Sequence, residues 1–421
     1  MQANAGAGAR RRSRPSRPII AWLTLLALLM AIGAAAFAYQ FANGLVVTGM
    51  RNTVMWGQYI LFFMFFIGLS AGGLIVASAG RLFGVRTFKP ITRLAVLEAT
   101  VAVMLAGLFI LPDLGRPERV INILLHPNFT SPMVWDITIV LIYTAMSLSY
   151  VWLYARADLA RRGSVLALGT GTTERELARD DRLKSRMAWV ALPAAILLHS
   201  ITAWIFGLQI SRGFWYSAIM APLFIASALV SGLALVTLLA LAVRRAGRIA
   251  FSDELVAFLG GLLGVFIAVE AFFVGAEFLT AAYPGAPNEA GPITRLLVGP
   301  FAPLFWVEVL AGLGVPFLIL AVRRTRTSPR WVAVASVIAI GGIFVHRLNL
   351  ILNGLSYAPI GVEPGVSIGV WQGATAGSFA MSHWYVPTIV EWLVVVGLLA
   401  FGALLFTLAV AFLPMQEPDE H

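Results

Sequence analysis

The chain of 421 residues contains no cysteine. That absence excludes disulfides, thiolate-held iron–sulfur clusters, CxxCH haem attachment and thiol catalysis. Charge is scarce too: 12% of residues are Asp, Glu, Lys or Arg, against about 25% in a soluble domain. Histidine occurs five times, and only His199 and His346 fall inside long apolar runs. A single haem with these two as axial ligands is therefore the one haem arrangement left open. No metal site is otherwise expected.

Apolar runs fill the rest of the chain. Hydrophobic residues make up 59% and the mean hydropathy is +0.86. Ten runs of roughly the 20 residues needed to cross a ~30 Å hydrocarbon core are expected at about 19–41, 56–79, 91–111, 133–155, 187–211, 214–243, 255–283, 296–322, 331–353 and 387–413. The fold class is an all-α polytopic membrane protein. Ala36-Phe37-Ala38 has the look of a signal-peptidase site, but the run before it exceeds the 7–15 residues of a signal h-region, so an uncleaved first helix is expected.

The net charge of +10 does not indicate nucleic acid, because the basic residues sit in short blocks between apolar runs. With the N-terminus inside, the inner segments hold 24 of the 30 Lys and Arg residues. The outer ones hold Arg51, Arg116, Arg119, Arg212 and Arg295, and Arg347 lies within a helix. This asymmetry predicts both termini in the cytoplasm of a bacterial inner-membrane protein. Expected units are a cytoplasmic basic arm (1–18), a first helix with its outer loop (19–55), a first four-helix bundle (56–211), a second (212–353), and an outer loop, last helix and tail (354–421). The connection 156–186 is read as a cytoplasmic helix or mobile loop. The almost uncharged connection 354–386 is expected to pack on the membrane surface or a partner.

One outer connection is distinctive. LPDLGRPERVINILLHPNFTSPMVWD (111–136) gathers Asp113, Arg116, His126, Trp135 and Asp136 at one membrane edge. A quinol that gives up two electrons must also lose two protons, so it needs a hydrogen-bonding partner at each ring oxygen, with access to water. His or Asp at an apolar edge supplies that. The stretch is read as the rim of a quinone site, with His199 as a deeper ring contact. The alternatives are a helix cap for Asp136 and a satisfied core histidine for His199.

Ionisable groups at mid-bilayer cost at least ~2.5–3.5 kcal/mol on insertion scales. Glu98, Glu270, Glu277, Glu308 and His346 are the candidates for a proton path. The competing reading is an interhelical network built on the stripe His346, Asn349 and Asn353, including a buried Arg347–glutamate ion pair. Glu98 and Glu270 are 172 residues apart, as are Asp136 and Glu308, which suits two parallel four-helix halves. Gly68, Gly72, Gly73, Gly260, Gly261 and Gly264 mark close helix approaches.

Asp113-Leu114-Gly115-Arg116-Pro117, followed by Ser131-Pro132-Met133-Val134-Trp135-Asp136 and preceded by GLSAGG, resembles the NrfD/polysulfide-reductase membrane-subunit family. FWVEVL (305–310) and the entry 384–391 resemble its ten-helix branch. The resemblance implies two four-helix bundles plus flanking helices, with quinone (menaquinone or ubiquinone) bound in the first bundle near the periplasmic face. It implies a periplasmic ferredoxin-like iron–sulfur partner and a catalytic subunit that holds molybdopterin, a hydrogenase centre or several haems. Iron–sulfur clusters would reside only in the partner, with no covalently bound cofactor in this chain. Asp113 and Arg116 would shape the outer loop, and Asp136 and His199 would serve quinone or proton transfer. The expected function is the quinone-reactive membrane subunit of a respiratory oxidoreductase. A proton-translocating element and a secondary transporter, the latter suggested by Pro300, Pro303 and Pro316, are the alternatives.

Overall fold

The computed structural model describes residues 17–51, 54–168, 172–357, 384–413 and 415. The basic arm before residue 17, most of the connection 354–386 and the last residues of the tail lie outside that set. Among the described residues, ten helices are long and apolar enough to span a membrane. They are α1 (Arg17–Asn43), α2 (Gln58–Leu82), α3 (Thr92–Asp113), α4 (Pro132–Arg161), α5 (Glu174–Gly207), α6 (Met220–Arg245), α7 (Asp253–Ala282), α8 (Ala302–Ala321), α9 (Pro329–Ser356) and α10 (Ile389–Phe412). Among the described residues there is no strand. Large apolar side chains point outward along the shaft, such as Phe272 at 68% and Leu318 at 65% exposure. An apolar surface of this extent suits lipid, not water.

Helices α2 to α5 pack on one another, with α2 the most enclosed. Helices α6 to α9 form a second group, and α1 pairs with α10 along the outside of α3. The seam between the groups is the α2–α6 contact. Gly72 and Gly232 meet there so closely that a Cβ built on Gly232 would fall 2.5 Å from the Gly72 Cα. Gly312 against Gly342 (α8–α9) and Gly33 against Gly397 (α1–α10) repeat the device. Gly73 instead makes room for the Glu98 carboxylate.

The connection expected at 156–186 is largely helix. α4 continues to Arg161, and α5 starts at Glu174 behind a Thr173–Glu176 capping box. Its 34 residues span roughly 51 Å at 1.5 Å per residue. Buried ion pairs hold these extensions: Arg93–Asp158 at 2.8 Å and Arg156–Asp180 at 3.0 Å. Charge hid the continuation, since a hydropathy window ends where Arg and Asp begin, while helix propensity does not.

The eighth span also departs from expectation. Pro287–Leu297 is a separate surface helix, and residues Val307–Gly314 of α8 form a π-helical stretch. Pro316 lacks the N–H that would bond the Gly312 carbonyl in a regular α-helix, and Gly312 offers no side chain to resist the widening. The stretch carries Glu308.

Candidate functional site

Asp136 sits one turn into α4, behind Ser131-Pro132, and is 3% exposed. Thr202 of α5 donates its hydroxyl to Asp136 Oδ1 at 2.6 Å. His199, one turn earlier on α5, is 1% exposed. Its ring tilts against Phe224 of α6 and its Nε2 lies 3.4 Å from Arg347 Nη2. Asp136, Thr202 and His199 thus share one side of α5, with Asp136 nearer the arginine-poor end.

The expected rim does not close as one site. Arg116 is exposed and pairs loosely with Glu118 at 3.5 Å. His126 is exposed as well. Trp135 donates its indole N–H to the Phe129 carbonyl at 2.6 Å, which fixes the loop to α4. Asp113 belongs to a different group, on the side of α3 that faces α1, α2 and α10. There Gln40 donates to the Pro112 carbonyl and accepts from the Tyr59 hydroxyl, each within 2.7 Å. Glu391 accepts from Tyr385, from the Gly49 and Thr388 backbone, and closes a capping box at the start of α10. Burial first, and the Glu391 charge second, push the Tyr385 hydroxyl well above the ordinary phenol range, so it remains a donor. Sequence proximity placed Asp113 with Asp136, but in the fold Asp113 lies near Glu391 and Tyr59.

The second half holds a matching constellation. Glu308 accepts from Asn349 at 2.7 Å and sits 2.8 Å from His346 Nδ1. His199 and His346 are 147 residues apart, and so are Thr202 and Asn349. Asp136–Thr202 and Glu308–Asn349 therefore match in kind, each an acid held by a polar side chain of another helix, with a histidine one turn from that side chain. Glu98 and Glu270 both have carboxylate oxygens without a hydrogen-bond partner. Glu277 accepts from Ser217 at 2.8 Å. The space among Glu277, Glu308, His346 and Asn349 is a cavity of about 30 Å³, which suits a water molecule and is far below the ~300 Å³ of a small-ligand pocket.

Arg347 does not form the expected glutamate ion pair. Its guanidinium lies 3.7 Å over the Phe224 ring and donates to Ser227, besides approaching His199. The stripe on α9 is otherwise as expected: Asn353 donates to the Pro292 carbonyl at 3.1 Å. Thr202, Tyr59 and Gln40 were not singled out in the sequence. The i, i+3 spacing from His199 was the available signal for Thr202; nothing local flagged the other two. No cluster of three or more metal-ligating side chains exists among the described residues.

Comparison with known proteins agrees with this architecture. The family described as polysulphide reductase, NrfD, matches residues 46–359. A protein of Halobacterium salinarum named as a dimethyl sulfoxide reductase membrane subunit is 41% identical over 94% of this chain and 92% of its own. A selenate reductase subunit of Mesobacillus selenatarsenatis is 26% identical over 95% of both chains. The Hdr-like menaquinol oxidoreductase integral membrane subunit of Archaeoglobus fulgidus is 27% identical over 95% of this chain and 96% of its own. The chain is a member of the NrfD, polysulphide reductase, family, a multi-pass integral membrane subunit of an oxidoreductase.

Proposed function

We propose that this chain carries out the quinone half-reaction of its complex, at a site formed by Asp136, Thr202 and His199. The observation that carries the reading is the Asp136–Thr202 contact: a carboxyl buried near one membrane edge, with one oxygen held by a hydroxyl and the other free for a substrate. The menaquinol in the Archaeoglobus relative's name points to the same substrate class. Asp136 would take a proton from the quinol hydroxyl as electrons leave, with Thr202 fixing the acceptor lone pair. His199 would hold the other ring oxygen through its Nδ1–H, and the second quinol proton would pass to water at that membrane edge. Electrons would pass to an iron–sulfur partner, since this chain has no cysteine with which to hold a cluster. The arginine asymmetry favours both termini in the cytoplasm, the Asp136 end periplasmic and the partner there. Arg116, His126 and the exposed Ile121, Leu124 and Leu125 would then lie on the partner's side.

The test is quinol-dependent reduction by the intact complex in membranes. Asp136→Asn is expected to lower turnover by about 10²–10⁴-fold, the usual weight of a general base, with the complex still assembled. Unchanged turnover would sink the assignment.

The second constellation favours a further reading. Its water-sized cavity and unpartnered His346 Nε2 and Asn349 Oδ1 suit proton transfer through Glu270, Glu277, Glu308 and His346, and do not leave room for a quinone ring. Vesicles holding the complex would acidify or alkalinise beyond the scalar protons of the reaction, and Glu308→Gln would abolish the excess.

A further inference from the structure

Helices α7 and α8 touch at two levels. Phe278 stacks on Phe305 with ring centres 4.8 Å apart, and a Cβ built on Gly264 would lie 3.4 Å from the Leu320 Cβ. On the face turned to lipid the pair is grooved. Gly261, Gly264, Val265, Ala268 and Phe272 of α7 line the groove with Phe317 of α8, around a space of about 510 Å³. The α7 positions are spaced i, i+3, i+4, i+7 and i+11, so they share one helix face. Val265, Phe272 and Phe317 are exposed.

At the arginine-rich end this groove opens into a wider space of about 820 Å³. Gly261, Val265 and Arg326 line both spaces, so the two are continuous. From Asp253 to Phe273 the lining follows 20 residues of α7, roughly 30 Å at 1.5 Å per residue. That covers the ~15 Å depth of one leaflet's hydrocarbon. The charged lining sits only at the wide end: Asp253 and Glu254 in the first turn of α7, and Arg323 and Arg326 in the short helical turn between α8 and α9. The Arg326 stem crosses the Gly260–Gly261 pair, its Cγ 3.2 Å from a Cβ built on Gly260 and its Cδ 3.6 Å from one built on Gly261. The two glycines let the arginine lie across α7 at the head of the groove.

The charges there are only partly matched. Asp253 is held by Arg244 at 2.7 Å. Among the described residues, no ion pair or hydrogen bond engages the guanidinium of Arg323 or Arg326, or the carboxylate of Glu254. The head of the groove thus presents two cations and one anion at headgroup depth, above an apolar channel. A phosphate answers the guanidinium groups, and an ammonium answers Glu254. A fatty acid or a quinone ring leaves Glu254 unanswered. A phosphate without an amine sets its whole negative charge beside that carboxylate.

We infer that the α7–α8 groove binds a phospholipid of the leaflet at the arginine-rich end, its phosphate held by Arg323 and Arg326, its headgroup amine by Glu254, and an acyl chain laid along Gly261, Gly264 and Ala268. The site is separate from the Asp136 site and from the Glu308 constellation, and no part of the quinone reading enters it. The bound chain would brace α7 against α8 just beyond the π-helical stretch.

The test is photo-crosslinking of the intact complex in vesicles made of equal parts phosphatidylethanolamine and phosphatidylglycerol. A trace of one or the other lipid carries a diazirine in its acyl chain. Peptide mass spectrometry reads the yield on the α7 segment 257–273, relative to the α5 segment around the exposed Trp189 and Val190, which reports ordinary lipid contact. The ethanolamine probe is expected to exceed the glycerol probe on α7 by about 3-fold, the weight of one exposed ion pair, and to equal it on α5. Arg323→Gln with Arg326→Gln is expected to lower the α7 yield about 10-fold, as loss of two cations near a lipid surface does. Glu254→Gln is expected to keep the excess over α5 and lose the preference between probes. Ala268→Phe, which fills the groove and touches no charge, is expected to lower the α7 yield, while Arg330→Gln, at the start of α9 and outside the lining, is expected to leave it unchanged. An α7 yield indifferent to the double arginine change would reduce the groove to ordinary lipid contact. Equal yields from the two probes, or more from the glycerol probe, would overturn the amine at Glu254. An α7 yield untouched by Ala268→Phe would overturn the path of the acyl chain. An equal loss in Arg330→Gln would assign the effect to the general basic charge of that surface.

Discussion

The guanidinium of Arg347 and the imidazole of His199 meet across the seam between the two helix groups, Nη2 to Nε2 at 3.4 Å, both side chains 1% exposed. A guanidinium only donates. Nε2 must therefore be the unprotonated ring nitrogen, which leaves the proton on Nδ1. One residue of the second half thereby fixes the tautomer of a histidine in the first. Arg347 also follows His346 of the Glu308 network by a single peptide bond, so the two constellations share one helix turn.

Replacing Arg347 by Met should lower quinol-dependent turnover by about 10- to 100-fold, the equivalent of the ~1.5–3 kcal/mol in a hydrogen bond to a charged group. Arg347→Lys should not restore it. A lysine has no planar fork to lie on Phe224 while reaching Ser227 and His199 together. Turnover in membranes with equal amounts of assembled complex is the measurement. Full activity in the lysine variant would mean that charge alone suffices.

Thr202 is the residue that separates a catalytic Asp136 from a merely structural one. Thr202→Val keeps the shape and removes the hydroxyl, about 1 kcal/mol of hydrogen bond and roughly 5-fold in turnover. Thr202→Ser should recover most of that. The matching change at the Glu308 constellation, Asn349→Leu, should leave quinol binding intact and reduce only proton movement in vesicles. Equal loss of quinol affinity in both variants would contradict the division of labour between the two constellations.

The glycine seam can be read in stability. Gly232→Val would drive side-chain atoms into the Gly72 backbone, which sits 2.5 Å from the Cβ position. Backbone cannot yield as a side-chain tip would, so α2 and α6 must separate. Thermal unfolding in detergent should show a loss of at least about 2 kcal/mol. Gly107→Ala and Gly341→Ala, where nothing lies within 4 Å of the new carbon, should be neutral or slightly stabilising, because alanine favours helix.

What was legible in the sequence followed one physical signal, the length of apolar runs. That signal finds ten helices, because the bilayer imposes ~20 residues on each whatever else the chain does. It failed where charge and helix coexist, as in α4 and α5 beyond Ala155 and before Met187. It also failed where two helix faces diverge. Asp113 and Asp136 are neighbours in the motif, yet Asp113 lies near Glu391 and Tyr59 while Asp136 meets Thr202, and the rotation of a helix about its axis leaves little trace over a few residues. The acid pairs 172 residues apart were visible in the sequence, while the 147-residue spacing shared by His199/His346 and Thr202/Asn349 was not, because the connections before α5 and α9 differ in length and break a constant offset. Arg347 misled for a simple reason: glutamates are the obvious partners in sequence, while an aromatic face is invisible there.

The buried ion pairs at the arginine-rich end give a sharp test of what holds the extended ends of α4 and α5 in place. Arg93 and Asp158 meet at 2.8 Å with side chains 7% and 10% exposed, and Arg156 and Asp180 at 3.0 Å with 9% and 4%. Removing one partner strands the other charge away from water, which costs about 3–5 kcal/mol. Arg93→Met should therefore destabilise strongly, while Arg93→Met with Asp158→Leu should regain much of the loss, because no uncompensated charge remains. Asp158 also meets Arg161 at 3.1 Å, but Arg161 is 45% exposed and can turn to solvent. Asp181, 51% exposed and paired with Arg81 at 2.6 Å, is the control: Asp181→Ala should cost under about 1 kcal/mol, as solvated pairs do. The ordering of the three variants in a detergent melting series is the measurement. If the double variant were no better than Arg93→Met alone, packing of the arginine stem rather than its charge would be what matters at that position.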